Sequence, residues 1–189
     1  MKLSPTTLPD VVEIVPARHA DARGYFSETF RLDWFVANVS GLGFVQENQS
    51  LSRRRGVIRG LHFQSEPFAQ GKLVRCIAGA IFDVAVDIRR GSPHFGRWTA
   101  VTLTAEDGNQ LWVPPGFLHG FCTLTEDAVV SYKVTAYYSR DNDLGVRWND
   151  PDIGIQWPAE ADPATLSDKD ARQPLLKELG HYFDYRAEA

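Results

Sequence analysis

The sequence predicts an all-β protein, and three observations support this prediction. Strand-like segments recur at short intervals, separated by glycine, proline, asparagine and aspartate. Residues 82, 84, 86 and 88 are large and apolar, whereas the residues between them are aspartate or alanine, which is the period of a half-buried strand. Helical periodicity is confined to two short stretches. Many short strands at regular spacing are typical of a sandwich or a barrel.

The predicted strands follow one another with only turn residues between them. Ala78-Gly79-Ala80 predicts a hairpin turn between two apolar strands. The predicted strands are residues 11–16, 24–29, 44–52, 57–64, 72–78, 80–88, 98–104, 109–113, 120–124, 127–134 and 145–148. No linker or low-complexity segment divides the chain, so we expect residues 1–189 to form a single domain.

Two further segments predict a few short helices at the periphery. Residues 31–39 place Leu32, Phe35 and Val36 on one helical face. Residues 167–179 begin at Ser167, and Asp170 follows three positions later, which is the spacing of a capping box.

The composition excludes several classes of function. The formal net charge is −4, so no basic excess favours a nucleic-acid partner. No apolar run is long enough to cross a membrane, and the N-terminus lacks the apolar core of a signal peptide, so a cytoplasmic protein is expected. Cys76 and Cys122 lie inside apolar strands, which favours small buried side chains over a disulfide.

Two glycine–histidine segments have the spacings of a cupin jelly roll. In the first, five residues separate Gly56 from His62, and the second ends at His119. A metal-binding cupin continues the first segment as His-x-His and places asparagine four residues after the second histidine. This chain has Gln64 and Thr123 at those positions. The pattern therefore predicts a cupin-type jelly-roll barrel without a metal cage.

Eight motifs occur together in a characteristic order. They are Asp21-Ala-Arg-Gly-Tyr-Phe-Ser-Glu28, Gln46-Glu-Asn48, Arg59-Gly-Leu-His-Phe-Gln64, Gly71-Lys-Leu-Val-Arg75, Pro114-Pro-Gly-Phe-Leu-His-Gly-Phe121, Tyr132-Lys-Val134, Trp148-Asn-Asp-Pro-Asp-Ile153 and Leu166-Ser-Asp-Lys-Asp170. Over roughly residues 5–175, this set resembles the dTDP-4-dehydrorhamnose 3,5-epimerase family. The resemblance implies a homodimer that exchanges strands, no metal or redox cofactor, and a dTDP-linked 4-keto-6-deoxy hexose that is inverted at C3 and C5.

Such inversion needs a base, a group that stabilises the enolate, and an acid. His62 is the candidate base, because imidazole has an ordinary pKa near 6.5. By resemblance Asp170 pairs with it, and Asp168 is a nearby competitor that the residues alone do not exclude. Lys72 is the candidate enolate stabiliser. Tyr132 is the candidate acid, since a phenol keeps its proton near neutral pH.

The resemblance also implies a set of substrate-binding residues. Arginine forks suit the two phosphates of the nucleotide, and Tyr138 matches an aromatic residue that stacks on thymine. Asp143 stands where the family usually has glutamate, which leaves one methylene less at that contact. The full set of implied substrate-binding residues is Arg23, Glu28, Gln46, Glu47, Asn48, Arg59, Lys72, His119, Tyr138, Asp143 and Lys169.

Three alternative functions remain open at this point. A monofunctional 3-epimerase of a dTDP-4-keto-6-deoxy sugar would use the same residues. A metal-dependent cupin oxygenase or isomerase would use His62, His119 and Glu66 as ligands. A sugar-nucleotide sensor would bind the same ligand without turnover.

Overall fold

Two antiparallel β-sheets face each other in the computed structural model, which describes residues 1–186. The strands are β1 (Lys2–Pro5), β2 (Val12–Val15), β3 (His19–Asp21), β4 (Gly24–Phe26), β5 (Gln46–Ser52), β6 (Ile58–Gln64), β7 (Lys72–Ala78), β8 (Ala80–Asp87), β9 (Trp98–Thr104), β10 (Gln110–Val113), β11 (Phe117–Thr123), β12 (Ala128–Val134) and β13 (Asp143–Gly145). The predicted all-β jelly-roll barrel is confirmed.

The order of strands in the two sheets differs from their order in the chain. One sheet has six strands in the order β1-β2-β10-β7-β12-β5, and the other has five in the order β13-β6-β11-β8-β9. A separate hairpin consists of β3 and β4. The hairpin predicted at Ala78-Gly79-Ala80 is wrong, because β7 and β8 belong to different sheets. Gly79, with φ of 76°, instead makes the turn by which the chain passes from one sheet to the other.

Most predicted strands are present within one or two residues, and the deviations are two short strands that were not predicted and a few misplaced ends. The sequence did not predict β1 and β3, which are only four and three residues long. Strand β11 begins at Phe117, three residues before the predicted start at residue 120. The predicted strand 145–148 is wrong in position, because β13 comprises Asp143–Gly145. Its pairing with β6, rather than its own apolar pattern, determines where it lies.

The space between the sheets holds the largest apolar cluster. Val74 and Leu111 of the six-stranded sheet pack with Ile81 and Leu103 of the five-stranded sheet, and all four are almost completely buried. Burial of side chains of this size contributes about 1.5–3 kcal/mol each. Cys76 belongs to this cluster, and Cys122 is also buried and free within the described chain, which confirms the interpretation of both as buried apolar groups.

One short helix covers the outer face of the six-stranded sheet. Helix α1 (Leu32–Asn38) inserts Phe35 between Leu73 and Trp112. The predicted apolar face is wrong in part, because Leu32 and Val36 are exposed. A helix of seven residues touches the sheet over only one turn, so a single large side chain makes most of the contact.

The C-terminal quarter of the chain covers the outer face of the five-stranded sheet. Val146 and Ile153 pack there against Val84 and Val86 of β8. The interpretation of β8 as half-buried is therefore wrong, since its other face points into the barrel and is buried as well. No helix within residues 1–186 is both long and apolar enough to span a membrane.

The tail contains one short α-helix rather than the predicted helix at 167–179. Helix α2 is only Asp168–Ala171, and the 3₁₀ turns are Arg140–Asn142, Pro163–Thr165 and Leu176–Glu178. Pro174 explains the early end, because a proline has no amide proton and disfavours helical geometry at the residue before it.

Candidate active site

A cavity of about 370 Å³ opens between the two sheets. It receives side chains from strands of both sheets and from the segment that contains α2. Its lining residues are Ser50, Val57, Ile58, Arg59, His62, Lys72, His119, Gly120, Phe121, Tyr132, Thr165, Ser167, Lys169 and Asp170. The fold thus brings all four predicted catalytic residues, His62, Lys72, Tyr132 and Asp170, into one cavity.

His62 and Asp170 form a close pair across the wall of this cavity. The His62 Nε2 lies 2.6 Å from the Asp170 Oδ1, and the Gly60 backbone N–H donates to the other carboxylate oxygen at 3.4 Å. Burial alone would raise the pKa of Asp170, but the hydrogen bond and the charge of His62 outweigh it and lower that pKa below its ordinary value. Asp168 is exposed, so Asp170 is the carboxylate that pairs with the histidine.

The capping box predicted at Ser167 is only half present. The Asp170 backbone N–H donates to the Ser167 Oγ at 3.1 Å, so serine does cap α2. The Asp170 carboxylate does not return to the helix start, because it points to His62 and Gly60 instead. The backbone of Asp170 therefore takes part in capping α2 while its side chain pairs with His62, and the two roles do not exclude each other.

An irregularity in β6 allows two residues that a regular strand would point to opposite faces to lie on the cavity side. Arg59 and His62 both line the cavity although they are three positions apart, and a regular strand would point them to opposite faces. The register between β6 and β11 shifts at this point, as at a β-bulge. The Arg59 Nε donates to the Ser52 Oγ at 3.1 Å, which fixes the guanidinium at the cavity wall.

Glycine is required where β6 and β11 meet. Gly60 has φ of 116°, and a Cβ there would lie 2.7 Å from the Gly120 Cα and 2.8 Å from the His119 carbonyl oxygen. A Cβ at Gly120 would in turn lie 2.7 Å from the Arg59 carbonyl oxygen. The two glycines allow the backbones to approach closely beside the His62–Asp170 pair.

Lys72 begins β7 and points its ammonium group into the cavity. Burial lowers the pKa of Lys72 to about 8, and the carboxylates of Asp143 and Asp83 partly oppose that effect. Lys169 is close enough to lower the pKa further through like-charge repulsion. A large share of Lys72 nevertheless remains charged near neutral pH, in a position where negative charge would be stabilised.

Tyr132 lies on β12, between Asn48 of β5 and Val74 of β7 in the sheet register. Burial raises the pKa of Tyr132, and a hydrogen bond with Asn48 and the charge of Arg59 partly oppose the rise. The phenol therefore retains its proton throughout the physiological pH range. It belongs to the six-stranded sheet, whereas His62 belongs to the five-stranded sheet, so the two groups reach the cavity from different sheets.

A second histidine–aspartate pair lies deeper in the barrel. The His119 Nε2 is 2.8 Å from the Asp83 Oδ1, and both residues are buried. The Asp83 Oδ2 has no hydrogen-bond partner within residues 1–186. Sequence reasoning missed Asp83, because the alternation in β8 was interpreted as a solvent-facing polar side. The signal was present, since an aspartate in a long apolar run requires a buried partner.

Several predicted substrate-binding residues gather at the rim of the cavity. The Lys169 Nζ lies 2.5 Å from the Asp143 Oδ2, and the Tyr138 hydroxyl donates to the same oxygen at 3.2 Å. The Gln46 Oε1 accepts from the Tyr138 backbone N–H at 3.1 Å, and the Gln46 Nε2 donates to the Asn48 Oδ1 at 2.8 Å. The shorter Asp143 side chain therefore still joins Tyr138 to Lys169.

Three other predicted residues are not brought into the cavity. Arg23 lies on the exposed β3–β4 hairpin and pairs with Asp21 at 2.6 Å, and Glu28 is exposed near Arg31. Glu47 points to the opposite face of β5 from Asn48, where it accepts hydrogen bonds from Ser131 at 2.8 Å and Lys133 at 2.7 Å. Within one chain these residues do not line the site.

The alternative set of metal ligands is not assembled. Among residues 1–186, no group of three or more histidine, cysteine, aspartate or glutamate side chains has a geometry that would hold a metal ion. His62, His119 and Glu66 therefore do not form the proposed three-ligand cluster. Gln64, where a metal-binding cupin has histidine, makes hydrogen bonds to nearby backbone groups instead.

Comparison with known proteins identifies the family. The family model described as dTDP-4-dehydrorhamnose 3,5-epimerase matches residues 5–178. The chain belongs to the dTDP-4-dehydrorhamnose 3,5-epimerase family. The resemblance predicted from the eight motifs is thereby confirmed.

Individual proteins of known name are similar to the chain in sequence or structure over most of its length. It is 56% identical over 179 residues to the dTDP-4-dehydrorhamnose 3,5-epimerase of Sinorhizobium fredii, covering 95% of this chain and 91% of that protein. The structure of the Legionella pneumophila dTDP-6-deoxy-D-glucose-3,5-epimerase in complex with dTDP-4-keto-L-rhamnose matches with a TM-score of 0.92 and 40% identity, covering 98% and 99% of the two chains. A 3'-monoepimerase from Streptomyces bikiniensis in complex with dTDP-quinovose matches at 36% identity with a TM-score of 0.83, covering 92% and 87%.

The motifs of the 3,5-epimerase family did not identify the whole cavity wall. Ser50 and Thr165 line the cavity with hydroxyl groups, and neither was predicted. The Thr165 Oγ1 accepts from the Ile58 backbone N–H at 3.0 Å, which ties the segment before α2 to β6. Small hydroxyl residues are common in loops, so the sequence alone carried no signal that these two face the site.

Proposed function

We propose that the protein inverts C3 and C5 of dTDP-4-dehydro-6-deoxy-D-glucose to give dTDP-4-dehydro-L-rhamnose, a step of dTDP-L-rhamnose biosynthesis. The observation that supports this proposal most directly is the His62–Asp170 pair, which lies in one cavity with Lys72 and Tyr132. Membership of the 3,5-epimerase family makes the protein an isomerase. The reaction removes and returns protons only, so the proposal assigns no metal or redox cofactor.

His62 acts as the base in this proposal. The C4 ketone acidifies the C–H bonds at C3 and C5, so one base can remove both protons in turn. Asp170 fixes the orientation and tautomer of the imidazole and stabilises the imidazolium that forms. Because Asp170 is buried and its pKa is lowered, it stays ionised while His62 changes charge.

Lys72 stabilises the enolate that forms when the proton leaves. Negative charge develops on the C4 oxygen, and an ammonium group already aimed into the cavity needs little reorganisation to stabilise it. The loss of one such donor costs other enzymes about 2.7–4 kcal/mol in the transition state. Its lowered pKa places the alkaline limit of this role near pH 8, where the amine loses its proton.

Tyr132 returns a proton on the other face of the sugar. Inversion requires an acid opposite the base, and Tyr132 approaches from the opposite sheet. Burial keeps the phenol protonated, so it is ready to donate to the carbanion. His119 lies beside the same cavity and serves as a hydrogen-bond donor to the sugar.

The nucleotide is bound at the rim. Arg59 and Lys169 line the cavity and supply positive charge for the phosphates, and Tyr138 supplies an exposed aromatic face for thymine. Arg23 and Glu28 lie on exposed segments away from the cavity. We assign them to the site of a second copy in a homodimer, whose N-terminal hairpin would complete the substrate contacts.

Proton exchange in deuterated water tests the proposed function. The protein is incubated with the dTDP-linked 4-keto sugar in deuterated water, and NMR follows the signals at C3 and C5. We expect exchange at both positions, and no exchange at either one would contradict the proposal. Binding without exchange would instead indicate a sugar-nucleotide sensor.

Two variants separate the assigned roles in the same assay. His62→Ala should abolish exchange, because it removes the imidazole that Asp170 orients in the cavity. Tyr132→Phe should reduce inversion more than proton loss, because it removes the returning acid and leaves the base. Equal loss of both steps in Tyr132→Phe would show that the acid is another residue.

A monofunctional 3-epimerase is the second candidate. The similarity to the Streptomyces bikiniensis monoepimerase favours keeping it, since the two folds agree over most of their length. Counting the exchanged positions distinguishes the two functions. Exchange at C3 alone would replace the 3,5-epimerase with this candidate.

A further inference from the structure

Gln64 makes three hydrogen bonds that the proposed chemistry does not use. It follows His62 by two positions on β6, so both side chains point to the same face of the strand. Its side-chain amide is buried, with only 4% of the residue exposed. The Nε2 donates to the Phe68 carbonyl at 2.7 Å and the Tyr137 carbonyl at 3.1 Å, and the Oε1 accepts from the Ser139 backbone N–H at 2.8 Å.

These bonds enclose Tyr138 on both sides. Tyr137 and Ser139 are its two chain neighbours, and both are bound to one amide through their backbone groups. The Tyr138 residue itself is 58% exposed, so packing does little to fix its ring. The ring is bound at its far end, where the hydroxyl donates to Asp143 at 3.2 Å, and at its near end it is carried by the backbone that Gln64 holds.

A second amide extends the connection around the rim. The Ser139 Oγ donates to the Asn142 Oδ1 at 2.7 Å, and the Asn142 Nδ2 donates to the Ser65 Oγ at 2.9 Å. The Ser65 backbone N–H donates to the Asn142 carbonyl at 3.0 Å. Residues 64–68 and 137–142 thus form one connected rim segment, in which Gln64 is the buried member.

We propose that Gln64 is a positioning residue, which holds the Tyr137–Ser139 backbone so that the Tyr138 ring is ready to receive the nucleotide base. This inference rests on the proposed function, in which Tyr138 contacts thymine. A ring that is already in place spares the cost of ordering it on binding, so the effect falls on affinity. A neutral amide suits this task because it donates twice and accepts once, which neither histidine nor carboxylate does at this site.

Gln64→Met tests the inference, because methionine has a similar length and lacks all three hydrogen bonds. Titration calorimetry with dTDP should show binding about tenfold weaker than wild type, whereas kcat at saturating substrate should change by less than about threefold. Gln64→Glu keeps the acceptor for Ser139 but points a carboxylate oxygen at the Phe68 and Tyr137 carbonyls, so it should weaken dTDP binding at least as much. This second variant also serves if Gln64→Met does not fold.

The double variant separates positioning from general damage. In a Tyr138→Ala background, Gln64→Met should weaken dTDP binding by less than about twofold, because the ring it positions is absent. Asn109→Leu is the matched control, since Asn109 is a buried amide that also makes three hydrogen bonds, to Glu13, Thr102 and Thr104, away from the cavity. It should leave dTDP affinity unchanged.

The outcomes distinguish failure of the inference from failure of the proposed function. Wild-type affinity in Gln64→Met, or an equal loss with and without the Tyr138 ring, would overturn the positioning role. A wild-type protein that does not bind dTDP would overturn the proposed function itself. If Gln64→Met weakens dTDP binding in the wild-type background but not in the Tyr138→Ala background, the result would support both the positioning role and the proposed function.

Discussion

The two histidine–aspartate pairs of the barrel differ in how their carboxylates are held. Both oxygens of Asp170 accept hydrogen bonds, one from His62 and one from the Gly60 backbone. Asp83 has one oxygen on His119 and the other without a partner among residues 1–186. The first pair joins the barrel to the tail, whereas the second joins two neighbouring strands of one sheet.

This difference suits the two pairs to the different tasks that we propose for them. Both histidines line the cavity, but the side chain of His62 is 29% exposed and that of His119 is 9% exposed, so the first presents more of its ring to the open space. A base needs access to substrate and a permanently charged partner whose carboxylate oxygens are both hydrogen-bonded. The first pair meets both conditions, whereas the second is built to hold its imidazole in a fixed position.

Asparagine at each aspartate gives the largest expected contrast. Asp170→Asn should lower kcat about 10²–10⁴-fold, because an amide neither fixes the required tautomer nor stabilises the imidazolium. Asp83→Asn should lower kcat/KM only about tenfold, since it disturbs a substrate contact and leaves the base intact. Steady-state kinetics of both variants measures the contrast.

Equal losses of kcat/KM in Asp170→Asn and Asp83→Asn would contradict the distinction between the two pairs. Thermal unfolding of both variants serves as the control, because a buried site that loses a charge can also lose stability. The comparison is interpreted only at temperatures where both variants are fully folded.

The alkaline limit of activity should also respond differently to the two substitutions. Lys72 must be protonated to stabilise the enolate, so kcat/KM should fall as the pH rises through about 8. The charge of Asp83 raises the pKa of Lys72, and Asp170 is not among the groups that affect it. Asp83→Asn should therefore move the alkaline limit to lower pH, and Asp170→Asn should leave it in place.

The pH dependence of kcat/KM from about pH 6 to pH 10 measures this shift. An alkaline limit that stays fixed in Asp83→Asn, or that moves equally in both variants, would show that Lys72 does not set it.

Stability should show the smallest effect, and with the opposite sign. Burial disfavours the charged form of Lys72, so below about pH 8 the folded state carries a cost that Lys72→Met removes. Near pH 7 the variant should be more stable by about 1–2 kcal/mol, although it loses activity. Between about pH 8 and pH 10.5 the unfolded chain binds the extra proton, so wild-type stability rises with pH and the difference shrinks.

Urea denaturation at both ends of this range measures the effect. Lys177→Met is the control, because Lys177 is exposed and its removal should change stability little at any pH. A destabilised Lys72→Met would mean that the ammonium group contributes more through its contacts than it costs through burial.

The sequence predicted the elements better than their relations in space. Period and composition located most strands, but they carried no information on which sheet each strand joins, so the turn at Gly79 was misinterpreted as a hairpin. The strands β1 and β3 were missed because four and three residues are too few to show an apolar pattern. The predicted tail helix is too long, because the capping signal indicates where a helix starts but not where it ends.

The candidate site was predictable where residue chemistry and motif agreed. His62, Lys72, Tyr132 and Asp170 meet in one cavity as the motifs implied, although 108 positions separate the members of the His–Asp pair. Asp83 was missed because alternation does not tell a barrel interior from solvent. Arg23 pairs with Asp21 at the exposed β3–β4 hairpin and does not reach the cavity, and no pattern in the sequence indicated this.

The placement of Asp170 on the one-turn helix α2 has a consequence for synthesis of the protein. His119 and Asp83 are both complete when β11 has been made, but His62 must await a residue well beyond β12. Because chains fold as they emerge from the ribosome, the strands can begin to pair while the carboxylate partner is still unmade. The His62–Asp170 pair can therefore form only after β1 to β13 have all been made.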